Sequence, residues 1–167
     1  MVSFVLLWSA LVAQRLYELG LARRNTARLR ERGAREAGAE HYPVMVLLHA
    51  GWFGCWFWES WQAGSPLSPH WRLLLGLAVA GQLLRWTSIL TLGPRWTTRV
   101  MVLPDEPPVS RGFYALIPHP NYLGVVLELF SVPLIFGAWR TALLFSAANL
   151  MLLKVRIGVE ERALGRR

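Results

Sequence analysis

Long apolar runs alternate with short polar segments along this 167-residue chain. A bilayer core about 30 Å thick is crossed by about 20 helical residues, because each residue adds about 1.5 Å. Only the short segment GAWR at 137–140 connects the last two runs, which predicts a tight helical hairpin. The pattern therefore predicts an all-α integral membrane protein with about five transmembrane helices. The apolar runs occupy roughly 2–21, 43–61, 71–92, 120–137 and 141–158, of which the last two are short.

The polar segments are of two kinds. Residues 27–40 are dense in arginine and glutamate, which is typical of a solvated helix at a membrane interface. Residues 93–118 are rich in proline and show no helical period, so we expect an irregular binding loop. Without an internal repeat, one membrane domain over 1–167 is expected. It divides into three N-terminal helices (1–92) and a C-terminal part with the loop, the hairpin and the chain end (93–167).

The basic residues are nearly all arginine, and they give a net charge of +8. They cluster after the first apolar run, after the third and at the C-terminal end. The positive-inside rule then places the N-terminus outside and the C-terminus in the cytoplasm. Anionic lipids and topology explain such arginines, so membrane lipids are the expected partners and nucleic acid is not. Cys55 is the single cysteine, and no histidine–carboxylate spacing typical of a metal site occurs, so no metal is expected.

The segment HPNYLG at 119–124 places a histidine and a phenol at the entry of the fourth apolar run. Pro118 and Pro120 restrict the backbone on both sides of His119. The first turn of a helix has unpaired N–H groups and suits an anion. Gly124 would let a flat ligand approach the backbone. Plain helix capping, with Asn121 as the cap, is the alternative interpretation.

The segment RIGVEERAL at 156–164 ends the fifth run with a second polar cluster. Arg156 and Glu160 share a helix face with Asn149, and Glu161 points elsewhere. Paired glutamates at a helix end could hold an ammonium group or ribose hydroxyls. An Arg156–Glu160 ion pair on a solvated helix end is the alternative.

Glu128 lies within the apolar fourth run, where a carboxylate is costly and normally faces a cavity or a partner. Arg85 and His49 are the partners we consider, since each also lies within an apolar run. A hydrogen-bonded core histidine is the simpler interpretation of His49. These three residues are our candidates for contacts to a substrate.

The two clusters, separated by an apolar hairpin, resemble the isoprenylcysteine carboxyl methyltransferase family. In that family a glycine–tyrosine segment leads into a His-Pro-x-Tyr-x-Gly motif, and a Glu-Glu pair ends the next helix. The matching segments are GFYALIPHPNYLG (112–124) and RIGVEERAL (156–164). Pro118 departs from the family, where a basic residue often precedes the His-Pro pair, so Arg111 or Arg156 would have to neutralise a cofactor carboxylate. The N-terminal half, with residues 40–59, resembles small bacterial members thought to O-methylate alkylpyrones.

This resemblance implies an S-adenosylmethionine-dependent methyltransferase with its cofactor pocket on the cytoplasmic side. It also implies a lipophilic carboxylate or enol as the methyl acceptor, entering from the bilayer. A membrane reductase of the sterol-reductase type, using a reduced nicotinamide, and a non-enzymatic membrane assembly or transport protein are the alternatives. The resemblance carries cofactor-binding roles onto Tyr114, His119, Pro120, Tyr122, Gly124, Arg156, Glu160 and Glu161.

Overall fold

The computed structural model of the chain describes residues 1–104 and 106–165, and within them the protein forms five α-helices and two short strands. Single 3₁₀ turns cover Ala39–His41, Gly93–Arg95 and Gly112–Ala115. The final two arginines of the predicted basic end lie outside the described residues. The elements are α1 (Val2–Glu31), β1 (Arg35–Ala37), α2 (Tyr42–Gln62), α3 (Trp71–Leu92), β2 (Val100–Val102), α4 (Pro120–Ile135) and α5 (Trp139–Ala163).

Three of the described helices, α1, α3 and α5, are long and apolar enough to cross a membrane, and α4 is apolar but shorter. The predicted hairpin is confirmed: α4 ends at Ile135, and Gly137 turns the chain with φ 77° into α5. Two predictions were wrong. The segment 27–40 is not a separate helix, because α1 continues to Glu31 and a strand follows it. Helix α5 is not short either, since it has 25 residues.

The ends of α2 and α4 that lie far from the 93–118 loop enclose an aromatic core. Phe4, Trp52 and Trp56 are fully buried there beside Leu129 and Phe136. The indole Nε1 of Trp52 donates to the carbonyl oxygen of Leu129 at 3.1 Å, so a large aromatic side chain is buried without an unpaired donor. This core fixes α1, α2 and α4 at one end and leaves the other end free to form pockets.

Helix α5 receives its N-terminal cap from another helix. The Glu59 carboxylate, near the end of α2, accepts hydrogen bonds from the backbone N–H groups of Arg140 (3.0 Å) and Thr141 (2.8 Å). It also accepts from the Thr141 hydroxyl at 2.6 Å. A carboxylate at this position satisfies orphan donors and complements the helix dipole. The cap therefore ties α2 to α5 across the interior.

The strands join the two longest connections of the chain. β1 and β2 pair antiparallel, with Glu36 opposite Met101. Partial burial acts to raise the pKa of Glu36, but hydrogen bonds from Arg99 and Arg30 outweigh it and hold that pKa below its usual value. The Arg99 guanidinium also stacks over the Tyr42 ring, 3.9 Å from its centroid. The 93–118 loop is thereby fastened to the connection between α1 and α2.

Helices α3 and α4 approach each other closely at two glycines. A Cβ on Gly124 would lie 2.7 Å from the carbonyl oxygen of Gly81 and 2.8 Å from Cγ of Arg85. A Cβ on Gly81 would lie 2.9 Å from the carbonyl oxygen of Gly124. Real Cβ atoms do not come so near to backbone oxygens, so glycine at both positions is required by helix packing.

The variant Gly81→Ala is therefore expected to force α3 and α4 apart and to lower stability by about 1–3 kcal/mol, as overpacking does. Thermal unfolding in detergent measures the change. Gly76→Ala is the matched control on the same helix, since nothing lies within 4 Å of a Cβ there. Equal midpoints for the two variants would contradict the packing account.

Candidate active site

A polar pocket lies where the 93–118 loop covers the first turn of α4 and the last turns of α5. We call this the outer pocket, and its volume is about 130 Å³. It contains five of the eight residues predicted to bind a cofactor. The five are Tyr114, His119, Tyr122, Arg156 and Glu160.

Tyr122 stands at the centre of the outer pocket. Its hydroxyl donates to Oε2 of Glu160 and accepts from Nε of Arg156 at 2.8 Å. The NH2 group of Arg156 donates to the carbonyl oxygen of Thr98 at 2.7 Å, which holds the loop against α5. The direct Arg156–Glu160 ion pair that we considered as the alternative is not formed among the described contacts, because the phenol of Tyr122 bridges the two side chains. This arrangement orients one oxygen of Glu160 and leaves the other for a ligand.

The imidazole of His119 is held in place by ring stacking, but its ring nitrogens do not have all their hydrogen bonds. It stacks on the Tyr122 ring, with centroids 5.3 Å apart and planes 15° apart. Its Nδ1 lies 3.9 Å from Glu160 and its Nε2 3.7 Å from Glu161, both beyond hydrogen-bond length. Nε2 is buried and has no hydrogen-bond partner among the described residues. Asn121, expected as a possible cap, makes no side-chain cap to α4, and its Oδ1 is also without a partner there.

Three of the eight predicted residues lie outside the outer pocket. Pro120 is buried at the start of α4, and Glu161 lies beside His119 without lining the pocket. Gly124 lines neither cavity, and its contact with α3 accounts for the glycine without a ligand. The phenol of Tyr114 does line the pocket. Burial, opposed by a hydrogen bond with Ser88, raises the pKa of Tyr114 to about 12, so it stays a neutral donor.

The cationic groups of the outer pocket differ in part from those expected. Arg111, one of the two cations considered for a ligand carboxylate, lies outside the pocket, where its NH2 group donates to the carbonyl oxygen of Thr91. Arg95 and Arg99 line the pocket together with Arg156. The loop and α5, and not the residue before the His-Pro pair, therefore supply the positive charge. The sequence pattern could not single out these two among the 17 arginines.

A larger, mostly apolar cavity continues inward from the outer pocket. This inner cavity has a volume of about 540 Å³, within the range of about 300–1,000 Å³ typical of small-molecule sites. Residues of α1, α2, α3, α4 and α5 line it. Its apolar walls suit a lipophilic ligand. The two spaces share Trp96, Thr97, Asn121, Tyr122 and Arg156 as lining residues.

Four charged side chains form a closed ring at the edge of the inner cavity. Arg15 lies 2.6 Å from Glu18 and 2.5 Å from Glu128. Arg85 contacts the same two carboxylates, at 3.5 Å in the case of Glu128. Gln14 and Gln82 donate to the remaining carboxylate oxygens. We call these four charges the buried ion ring. Because it carries no net charge and its carboxylate oxygens are hydrogen-bonded, it is tolerated inside apolar helices.

The buried ion ring contains Arg85, one of the two partners predicted for Glu128, but not His49, the other. Arg85 contacts Glu128, whereas the ring nitrogen Nδ1 of His49 bonds the carbonyl oxygen of Met45 at 2.8 Å. Arg85 and His49 line the inner cavity, but Glu128 is fully buried and does not. Glu128 can therefore act on a ligand only through the two arginines. The sequence also contains a signal for this ring that our prediction did not use. Arg15 lies three residues before Glu18 within the first apolar run.

Removal of one charge from the ring is expected to destabilise the protein strongly. Glu128→Gln leaves two guanidinium groups facing one carboxylate, and Arg15→Gln leaves two carboxylates facing one guanidinium group. Breaking a buried pair costs about 3–5 kcal/mol, so each single variant should lose about that much. The double variant Arg15→Gln/Glu128→Gln restores neutrality and should lose clearly less than the sum.

Thermal or denaturant unfolding in detergent measures the free energy of unfolding of the wild type, the two single variants and the double variant. Gln14→Leu, which removes an uncharged neighbour, is the matched control and should cost much less than either charge change. Additive losses in the double variant would show that the ring does not act as one electrostatic unit.

Comparison with known proteins agrees with this arrangement. The model of the isoprenylcysteine carboxyl methyltransferase (ICMT) family matches residues 74–166, which include most of α3, all of α4 and α5, and every lining residue of the outer pocket except Leu29. YpbQ of Bacillus subtilis, an uncharacterized protein, is 35% identical over 161 residues, 96% of each chain. An uncharacterized protein of Haemophilus influenzae is 25% identical over 159 residues, 94% of this chain and 92% of that one.

The family match covers more than half of the chain and contains both polar motifs. It begins within α3, so the parts of the inner cavity formed by α1 and α2 lie outside it. With its apolar helices, this is an integral membrane protein, and it belongs to the isoprenylcysteine carboxyl methyltransferase family.

Proposed function

We propose that this membrane methyltransferase uses S-adenosylmethionine and transfers the methyl group to an oxygen of a lipophilic carboxylate or enol. The observation that carries the proposal is the junction of the two spaces. A polar pocket meets an apolar cavity at Tyr122 and Arg156, so a polar donor and a lipophilic acceptor could meet there. An alkylpyrone enol is one acceptor of this class.

The side chains of the outer pocket fit this cofactor. The incompletely bonded His119 and the cations Arg95, Arg99 and Arg156 suit its carboxylate, and Glu160 suits its ammonium group or ribose hydroxyls. The buried Oδ1 of Asn121 offers an acceptor that no described residue uses. The volume of about 130 Å³ is below that of most ligand sites, so the loop that covers the pocket would have to move outward on binding.

When bound, the cofactor would supply an electrophilic methyl group on a sulfonium sulfur. The protein would supply alignment and a dry environment, which together favour an in-line displacement. The walls of the inner cavity would keep water away from the acceptor oxygen. An acceptor that is already ionised would need no base.

The proposed orientation has five membrane-crossing helices, with the N-terminus outside and the outer pocket on the cytoplasmic side. Support comes from the arginine clusters after α1 and α3 and near the end of α5, which all lie at the pocket end of the helices. Helix α2 is rich in aromatic residues, and α4, with 16 residues, is the shortest of the five helices. The acceptor would enter from the bilayer, and lipids would surround the exposed apolar faces.

The proposed cofactor site is tested by calorimetry with S-adenosylmethionine on detergent-purified protein. His119→Ala and Glu160→Gln are each expected to weaken binding at least about tenfold, since a hydrogen bond to a charged group contributes about 1.5–3 kcal/mol. Arg111→Ala is the matched control and should bind as wild type does, because that side chain lies outside the pocket.

Reduced nicotinamide dinucleotide serves as the rival ligand in the same measurement. Binding of S-adenosylmethionine that falls in the two pocket variants supports the proposal. No binding by folded wild-type protein would refute it, and a signal with the nicotinamide alone would favour a reductase.

A further inference from the structure

Most of the wall of the inner cavity is apolar, so its few polar atoms without a hydrogen bond are informative. His49 on α2 and Asn149 on α5 each have one such atom. Neither belongs to the outer pocket. The buried ion ring, by contrast, has its charges paired within itself. The inference below rests on the methyl transfer proposed above and concerns the acceptor end of that reaction.

The hydrogen bond of His49 to its own helix decides which ring nitrogen carries the proton. Nδ1 lies 2.8 Å from the carbonyl oxygen of Met45, which can only accept. In the neutral imidazole Nδ1 is therefore the donor, and Nε2 keeps its lone pair. Since Nδ1 faces the helix, the Nε2 edge is the part of the ring left for the cavity. No described residue hydrogen-bonds to Nε2.

Asn149 offers a hydrogen-bond donor, whereas Nε2 of His49 offers an acceptor. It is 2% exposed, and its Nδ2 has no hydrogen-bond partner among the described residues. A buried amide donor left unpaired is costly, and natural structures normally pair such groups with protein, water or ligand. Because Asn149 also lines the inner cavity, a ligand oxygen in that cavity would satisfy it.

The two side chains lie at similar depth. Helices α2 and α5 are antiparallel, since Arg156 contacts Met45 at one end and Glu59 caps Thr141 at the other. His49 is one turn from Met45, and Asn149 is two turns from Arg156. At about 1.5 Å per residue the two positions differ by about one turn along the helix axes. Both side chains also line the inner cavity, so our inference places one ligand head group against both.

We infer that His49 Nε2 accepts the hydroxyl proton of the methyl acceptor, while Asn149 donates to a second oxygen of the same head group. In this step the acceptor O–H bond breaks and its proton passes to Nε2. The freed electron pair forms the new bond to the methyl carbon, and the electrons of the old carbon–sulfur bond stay on sulfur. Arg15, Glu128 and Arg156 lie near His49, and Glu18 and Arg85 also face this region from the ion ring, so the resulting imidazolium meets charges of both signs.

This assignment defines the acceptor more narrowly. A lone pair facing the cavity repels a carboxylate anion and favours a neutral hydroxyl. The preferred acceptor is therefore a lipophilic compound that enters with its O–H intact and carries a neighbouring oxygen. A carboxylate that is ionised before binding fits His49 poorly.

Methyl transfer is measured with two probes of equal chain length, a long-chain alkylphenol that carries a methoxy oxygen next to its hydroxyl and the nitro-substituted analogue of the same compound, which is ionised at the assay pH. General-base catalysis typically contributes about 10²–10⁴-fold. His49→Gln should therefore lower kcat for the plain alkylphenol about 100-fold and for the ionised analogue far less. Raising the pH towards the ionisation of the phenol should narrow the difference. His70→Gln, an exposed histidine outside both cavities, is the matched control.

Asn149→Leu should raise KM about tenfold for both probes and change kcat less, as expected for a positioning residue. Equal losses of kcat for both probes in His49→Gln would overturn the inference, since a structural role would not depend on acceptor acidity. So would wild-type protein that binds S-adenosylmethionine but methylates neither phenol. Absence of S-adenosylmethionine binding, measured separately, would instead refute the proposed function.

Discussion

The architecture depends on the need to bury four charges inside apolar helices. Arg15 and Glu18 are neighbours on α1, whereas Arg85 on α3 and Glu128 on α4 have no opposite charge within reach on their own helices. Neutrality is reached only when three helices meet. The glycine contact between α3 and α4 brings Arg85 against the α4 backbone, so close packing and charge pairing support each other. The ring stabilises one arrangement of the helices and forms one edge of the inner cavity.

The chain divides its site between a part shared with the family and a part that lies outside the family match. Apart from Leu29 on α1, the residues that line the outer pocket lie within residues 74–166, mostly on α4, α5 and the loop before them. His49, Arg15 and Glu18 come from α1 and α2 and face the inner cavity. In the proposed reaction, this division would place the methyl donor in the part that the family match covers and the acceptor partly against helices that lie outside it.

The hydrophobic pattern was enough to predict the helices, the hairpin and the irregular loop, because apolar run length and proline content act locally. It also indicated Arg85 and His49 as possible partners of Glu128, because a carboxylate at membrane depth needs a partner, and the structure shows that Arg85 is the one in contact. It could not reveal that α1 continues past its apolar run to Glu31, because arginine and glutamate are good helix formers and continue a helix into water. Nor could it place Arg95 and Arg99 in the outer pocket or Gly124 in a helix contact. Those positions follow from the path of the loop and the distance between α3 and α4, which are tertiary features.

The strand pair between β1 and β2 has a consequence for the timing of events at the two cavities. Thr98, just before β2, lines the inner cavity, and its carbonyl oxygen accepts a hydrogen bond from Arg156. The next residue, Arg99, lines the outer pocket and stacks on Tyr42, which lines the inner cavity. A displacement of this loop that widens the outer pocket must therefore also disturb a wall of the inner cavity. The outer pocket and the inner cavity share this wall, so in the proposed reaction release of the polar product and of the lipophilic product would be coupled.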